Sequence, residues 1–204
     1  MRRVLASQST LVTILFVIIA FTTAFTPAWS REFVSFSYGR GGDRLADITG
    51  GQNYQARAGS GLAILGGWWL PISPTRPHSF EGQLGFGYLF QEDAGPDRNS
   101  VSWSRIPIEA SYHYHNHQEK FRLGWGVTYH VANRLEGKGL NSSITTNIGN
   151  ALGWMASAEK IWLTEDDGEF AFGIRYTTIR YRLIVFDQSV DANTWSFTFS
   201  GFRF

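Results

Sequence analysis

Apolar and polar side chains alternate with a period of two in eight segments of the chain, separated by stretches rich in Gly, Pro, Asn and Asp. That period belongs to strands with one apolar face, and the separators carry turn chemistry. The segments are Phe33–Gly39, Ser60–Ile72, Phe80–Gln91, Val101–His115, Phe121–Asn133, Ala151–Leu163, Phe170–Val185 and Asn193–Phe204. Connections after the first, third, fifth and seventh segments tend to be longer, and those between them shorter.

Which face each set of side chains takes follows from the charges. In the fourth segment Ile106, Ile108, Ala110, Tyr112 and Tyr114 oppose Arg105, Pro107, Glu109, Ser111 and His113; in the fifth, Phe121, Leu123, Trp125, Val127, Tyr129 and Val131 oppose Arg122, Gly124, Gly126, Thr128 and His130. The third sets Leu84, Phe86, Tyr88 and Phe90 against Glu81, Gln83, Gly85 and Gly87. A soluble sandwich would bury the aromatic set and expose the polar one. Gly, Arg, Glu and His make a poor dry core and a reasonable barrel interior, so the aromatic faces are expected outside, against lipid. The pattern predicts an all-β protein, an eight-stranded antiparallel up-and-down transmembrane β-barrel with brief periplasmic turns and longer outer loops. Residues 40–59 and 134–150 are its longest outer connections. The seventh segment changes phase between Phe172, Ile174, Tyr176 and Ile179, Tyr181, Leu183, and the eighth changes around Gly201. Keeping every apolar residue on the lipid side predicts a bulge at each place, with Arg175, Arg180 and Arg182 inside.

Ahead of the strands, Arg2 and Arg3 precede an apolar run from Leu11 to Phe25, followed by Pro27, Ala28 and Ser30. This is the layout of a cleavable secretory signal. A run of about 15 residues is short of the roughly 20 a spanning helix needs. The expected division is therefore 1–30 signal peptide and 31–204 barrel. Absence of Cys excludes both a disulfide framework and a lipoprotein attachment site. Charged residues, at 17%, fall below the roughly one quarter of typical soluble domains. A net charge of +1 leaves no electrostatic footprint for nucleic acid. Trp68, Trp162, Tyr112 and Tyr114 at one end of the strands, and Tyr38, Tyr88, Phe90 and Tyr129 at the other, are candidates for interfacial girdles, with Lys160 and Arg203 reaching the inner headgroups.

The signal, the eight segments and the terminal Phe202 and Phe204 resemble the small bacterial outer-membrane barrels, the OmpA-like, OmpX-like and porin-like β-barrel domains. The resemblance implies outer-membrane localisation, outer-membrane lipids and lipopolysaccharide as surroundings, and an assembly signal at Phe202 and Phe204 read by the barrel-assembly machinery. Gly201 lies closer to the end than the usual Gly of that signal. An interior of eight strands is filled by side chains. A lumen polar network of Glu81, Arg105, Glu109, Arg122, His130, Glu159 and Arg175 is expected, its charges neutralising one another because an isolated buried charge is expensive.

Outer-membrane lipid A deacylases carry a strand-borne His with a Ser two residues on, in a His-x-Ser-Asn pattern. His130-Val131-Ala132-Asn133 resembles it, but Ala132 stands where the hydroxyl nucleophile belongs, and a base without a nucleophile does no acyl transfer. Ser142 and Ser143 have no base that can be placed beside them. His113, His115 and His117 share one strand face yet reach into a turn, which reads as a solvated turn before a metal site. Glu165-Asp166-Asp167-Gly168 is too short for a Ca²⁺ loop. GRGGD at Arg40–Asp43 lacks the following helix of a phosphate loop and reads as the flexible start of the first outer connection. No cofactor and no catalytic or metal residue is expected. The function expected is a non-enzymatic barrel serving membrane integrity or binding an extracellular ligand through its loops. A lipid A- or phospholipid-modifying enzyme and a narrow channel are the alternatives.

Overall fold

The computed structural model describes residues 30–43, 57–73, 77–94, 100–138, 143–163, 168–183 and 188–202. Ten strands lie in them: β1 Arg31–Gly41, β2 Gly61–Ser73, β3 His78–Ala94, β4 Ser100–Asn116, β5 Phe121–Lys138, β6 Ser143–Asn147, β7 Ala151–Leu163, β8 Glu169–Leu183, β9 Gln188–Asp191 and β10 Thr194–Phe202. Eight of these close a ring in the order β1-β2-β3-β4-β5-β7-β8-β10, and β10 pairs antiparallel with β1 from Phe33↔Phe202 to Gly41↔Thr194. The predicted signal, the Glu165–Asp167 part of the acidic turn, Arg203 and Phe204 lie outside the described residues.

The eight ring strands coincide with the eight alternating segments to within a few residues, except at the far end of β5. β6 and β9 lie in stretches read as connection. β6 pairs with the far end of β5 from Lys138↔Ser143 to Arg134↔Asn147, and β9 with the far end of β8 from Leu183↔Gln188 to Arg180↔Asp191. Both hairpins thus carry the barrel beyond its eight-stranded ring on the side of the long connections.

Neither predicted bulge exists. β8 keeps one register against β7 from Leu163↔Glu169 to Gly153↔Ile179, and β10 keeps one against β8 through Gly201↔Phe170. Ile179, Tyr181 and Leu183 therefore point inward with Ala171, Gly173 and Arg175, while Arg180, 68% exposed as a side chain, points out. The reason is position: this part of β8 lies beyond the apolar belt, where the outside is polar and the inside is an apolar core. Register does shift between Ser104↔Arg134 and Ile106↔Val131, where Arg105 of β4 faces two residues of β5, Ala132 and Asn133. Ala132 adopts φ 51° there.

The ring's exterior is apolar. Phe36, Tyr38, Leu84, Ile108, Trp125, Tyr129, Trp154, Ile174, Phe197 and Phe199 are all exposed. Rings on adjacent strands stack along it, as in Phe172 with Phe197 and Phe170 with Phe199. Trp162 and Tyr38 of the expected girdles are exposed near strand ends and Tyr129 in the middle of β5, and Lys160 Nζ donates to the Glu119 carbonyl at 2.7 Å.

Inside, two apolar clusters sit at opposite ends. One gathers Phe33, Leu65, Trp69, Ile161 and Ala171 toward the short turns; the other gathers Val101, Trp103, Leu135, Ile148, Ile179, Tyr181, Leu183 and Val190 toward the long connections. The closed ring with its lipid-type exterior defines a small eight-stranded transmembrane β-barrel. Ile174 is 45% exposed on the apolar belt between Ala158 and Phe197. Ile174→Arg is expected to destabilise the barrel by about 2–4 kcal/mol in lipid vesicles. A urea titration followed by tryptophan fluorescence measures this, and an unchanged midpoint would place this face away from lipid.

Candidate functional site in the barrel interior

Alternation sends every second side chain of each strand inward, and the charged ones form three tiers along the axis. Nearest the short turns, Arg122 of β5 lies between Glu159 of β7 and Glu169 of β8. Its Nε donates to Glu159 Oε2 at 2.9 Å, its Nη2 makes a second bond to the same oxygen, and its Nη1 donates to Glu169 Oε1 at 3.3 Å. Arg31 Nη2 donates to Glu81 Oε1 at 2.6 Å, and its Nη1 lies 3.9 Å from Glu169 Oε2. Two arginines and three carboxylates form one connected group. The Arg122 guanidinium also lies over the Trp69 ring, 4.2 Å from its centre, a cation–π contact strengthened by desolvation.

In the middle tier, Arg175 Nη1 donates to both oxygens of Glu109, at 3.1 and 3.0 Å. Ser111 Oγ donates to Gln83 Oε1 at 3.1 Å and lies 2.7 Å from His113 Nε2. Gly124 makes this arrangement possible, because a Cβ there would run into the His113 ring and come within 2.6 Å of Ser157 Oγ.

Arg105 stands in the third tier, beside the far apolar cluster. Its Nη1 donates to the Ala58 carbonyl at 2.7 Å and to Tyr181 Oη at 3.3 Å, and its Nη2 to the Ser60 carbonyl at 3.2 Å. The guanidinium carbon lies 4.3 Å from the centre of the Trp103 ring. Tyr181 Oη also bonds His130 Nδ1.

Glu81, Arg105, Glu109, Arg122, His130, Glu159 and Arg175 all face the interior. Six of the seven are buried, and the Arg175 side chain is 12% exposed. Contacts bring together Arg122 with Glu159 and Arg175 with Glu109, whereas Glu81 meets Arg31. Arg105 differs from the expectation of mutual neutralisation: no carboxylate reaches it among the described residues. Sequence reasoning left out Arg31 and Glu169, because both open their strands, where inward and outward facing is hardest to assign. Glu169 was nonetheless in phase with Arg175, six residues on.

His130 faces the interior, its Nδ1 engaged by Tyr181, and Asn133 is buried with its Nδ2 donating to the carbonyls of His130, at 3.2 Å, and Gly149, at 3.0 Å. The residues resembling a deacylase pattern thus pin the bulge and the turn into β7. His113 and His115 are buried inside, and His117, in the turn, places its ring 3.8 Å from that of His115 and its Nε2 2.9 Å from Ser79 Oγ. Among the described residues no group of three or more His, Asp or Glu is arranged to hold a metal ion. GRGGD, read as a flexible start, is tied down: Asp43 N donates to the Asp191 carbonyl at 2.7 Å, and Asp191 N to Asp43 Oδ2 at 2.8 Å. Beyond the lipid belt, the hydrogen bond from Arg180 holds the Asp191 carboxyl below the usual carboxylate range. Of the expected assembly pair, Phe202 is the last residue of β10.

The arrangement is that of a small outer-membrane type of barrel: eight tilting strands, an apolar outer belt and an interior occupied by paired charges. No protein-family model matches the chain, and no curated protein is significantly similar to it. Among solved structures it is similar to the attachment invasion locus protein Ail of Yersinia pestis, a structure in complex with the heparin analogue sucrose octasulfate. The identity is 13% over 86% of this chain and 97% of Ail, with a TM-score of 0.46. It is also similar to Neisserial surface protein A, NspA, at 12% identity over 86% of this chain and 95% of NspA, with a TM-score of 0.44. Likeness at this level says nothing of what this chain binds.

Arg122→Ala would leave Glu159 and Glu169 buried without the guanidinium that holds both, Glu169 keeping Arg31 at 3.9 Å. It is expected to cost about 3–5 kcal/mol of stability, the usual effect of breaking a buried pair from one side. Adding Glu159→Gln to it should recover part of the loss in the same urea titration. At the bulge, Ala132→Gly removes the steric cost of the left-handed backbone, roughly 1–2 kcal/mol. Set against the larger unfolded-state entropy of Gly, a net gain of about 0.5–1 kcal/mol is expected. Ala132→Val should move the midpoint the other way.

Proposed function

We propose that the protein is a non-enzymatic integral barrel of a bacterial outer membrane, closed by its own interior side chains, that serves membrane integrity or binds an extracellular ligand through its outer loops. Residues 1–30 act as a signal removed on export, residues 31–204 form the barrel, and Phe202 and Phe204 belong to the signal by which the assembly machinery takes up the last strand. Outer-membrane lipids and lipopolysaccharide surround the belt.

The observation that carries this reading is the occupied interior. Apolar clusters sit at both ends of the axis, and between them Arg122–Glu159 links neighbouring strands while Arg175–Glu109 spans the interior from β8 to β4. An eight-stranded interior has room for side chains and little else, so steady diffusion along this axis is disfavoured. A non-enzymatic role is supported by Ala132 in the would-be nucleophile position and by His130 turned inward onto Tyr181, away from the lipid where an acylated substrate lies. Loop-mediated binding is supported by the β5–β6 and β8–β9 hairpins, which raise the outer connections on paired strands.

Planar-bilayer recording of the purified barrel, together with mass spectrometry of lipid A and phospholipids from cells with and without the protein, tests the reading. The expected result is no unitary conductance and an unchanged number of acyl chains. Reproducible steps of current would replace it by a channel, and a change in acyl number reproduced by the purified barrel would replace it by an enzyme.

A further inference from the structure

A chamber remains between the two apolar clusters. It is walled by Ser37, Thr177 and Ser196, by the Arg175–Glu109 pair, by Arg105, and by Leu65, Leu89 and Ile179. Its cavity volume is about 50 Å³. The charges that face it do not balance. Arg175 and Glu109 neutralise each other through two hydrogen bonds, His130 is bonded to Tyr181, and Arg105 has no carboxylate among the described residues.

Arg105 is 1% exposed. A cation so far from water needs a partner, because desolvation of an uncompensated charge costs more than carbonyl and hydroxyl contacts return. Its guanidinium uses both terminal nitrogens on Ala58, Ser60 and Tyr181, but among the described residues its Nε has no hydrogen-bond partner, and neither has the Nε of Arg175 on the same chamber. The opposite surplus, one carboxylate more than the arginines of the Arg31–Arg122 group, lies at the other end of the axis, past the neutral Arg175–Glu109 pair. The lumen is therefore polarised, with net positive charge at the chamber.

We propose that this chamber is an internal binding site for a small inorganic anion of halide size, held by Arg105 and Arg175 and by the surrounding hydroxyls. Such an anion supplies the counter-charge that no described side chain provides, donates nothing itself, and accepts from the two Nε–H groups and from Ser37 or Thr177. The inference rests on the barrel reading, and its test separates the two.

Thermal unfolding of the barrel purified from membranes is followed in sodium bromide and in sodium gluconate at equal ionic strength, gluconate being too large for the site. A ligand that binds only the folded state raises the midpoint with a saturating dependence on its concentration. The expected result is such a rise in bromide, absent in gluconate, and weakened at least tenfold in apparent affinity in Arg105→Gln. Equal behaviour in the two salts overturns the proposal. Should Arg105→Gln not fold, bromide anomalous scattering from crystals of the unaltered protein decides: a peak beside Arg105 in the chamber upholds the site, while peaks confined to exposed arginines overturn it. A barrel that shows heat-modifiable gel migration yet no bromide effect loses the anion site alone. A single unchanged band on the same gel would sink the barrel reading and the site with it.

Discussion

Every hydrogen bond between β1 and β10 closes a sheet that would otherwise present two open edges to hydrocarbon. In lipid an unpaired N–H or C=O has no water to turn to, so a sheet spans only when its last strand finds its first. The pairing from Phe33↔Phe202 to Gly41↔Thr194 provides that closure. Closure fixes the strand number, and the strand number fixes how much room is left inside. With eight strands the room is small enough that inward positions are contested. Gly85 yields its place to the Phe33 and Leu65 side chains, and Gly124 yields its place to His113.

A narrow interior dictates how charge is handled. A carboxylate or guanidinium there is held by direct partners or not at all, which is why Arg122 has two carboxylates and the face of Trp69, and why Arg175 grips both oxygens of Glu109. These contacts join β5 to its neighbour β7 and, past intervening strands, β5 to β8 and β4 to β8. The last two tie strands that no ladder hydrogen bond connects. Buried ion pairs are weak evidence for net stability, but geometry gives them a second consequence, because each one specifies which inward residues share a level.

The period-two pattern made the barrel legible, since an apolar belt outside and a mixed interior leave the same mark on every strand. Legibility failed where the solvent changed. Assigning apolar residues to lipid holds for Phe172 and Ile174, but beyond Tyr176 the exterior is water and the interior becomes the apolar side, so Ile179, Tyr181 and Leu183 stay in phase with Arg175 and are buried. A bulge was inferred where only the surroundings had inverted. The bulge at Ala132 is invisible in the sequence because Ala carries no mark of a left-handed backbone, a conformation that favours Gly or Asn. β6 and β9 were missed because backbone pairing holds them and their side chains do not alternate. Facing could be read for Glu109 and Arg175, but not their contact, which joins residues 66 positions apart. The lack of a carboxylate on Arg105 was likewise invisible, because it depends on what the other strands bring to the same level.

That inversion of polarity along β8 also marks where the lipid ends. Tyr176 and Trp195, 4.9 Å between ring centres, form an aromatic pair on the outer surface. Four residues past Tyr176 on the same strand, Arg180 is turned outward and bound to Asp191 at 2.5 Å, an arrangement suited to water. Above that line the molecule is built as a soluble barrel is, with Trp103, Leu135, Tyr181 and Val190 in its centre and loop residues Ala58, Ile148 and Ala192 completing the core. The outer connections near these residues therefore rise from packed, hydrogen-bonded strands instead of from the membrane surface. Asp43 and Asp191 bond each other's backbone, and Thr194 Oγ1 donates to the Gly59 carbonyl at 2.5 Å, so the roots of the first and last outer connections are fixed to one another. A surface held this way would lose less conformational freedom on meeting a ligand than free loops would, which is the physical reason to test the proposed binding at that end.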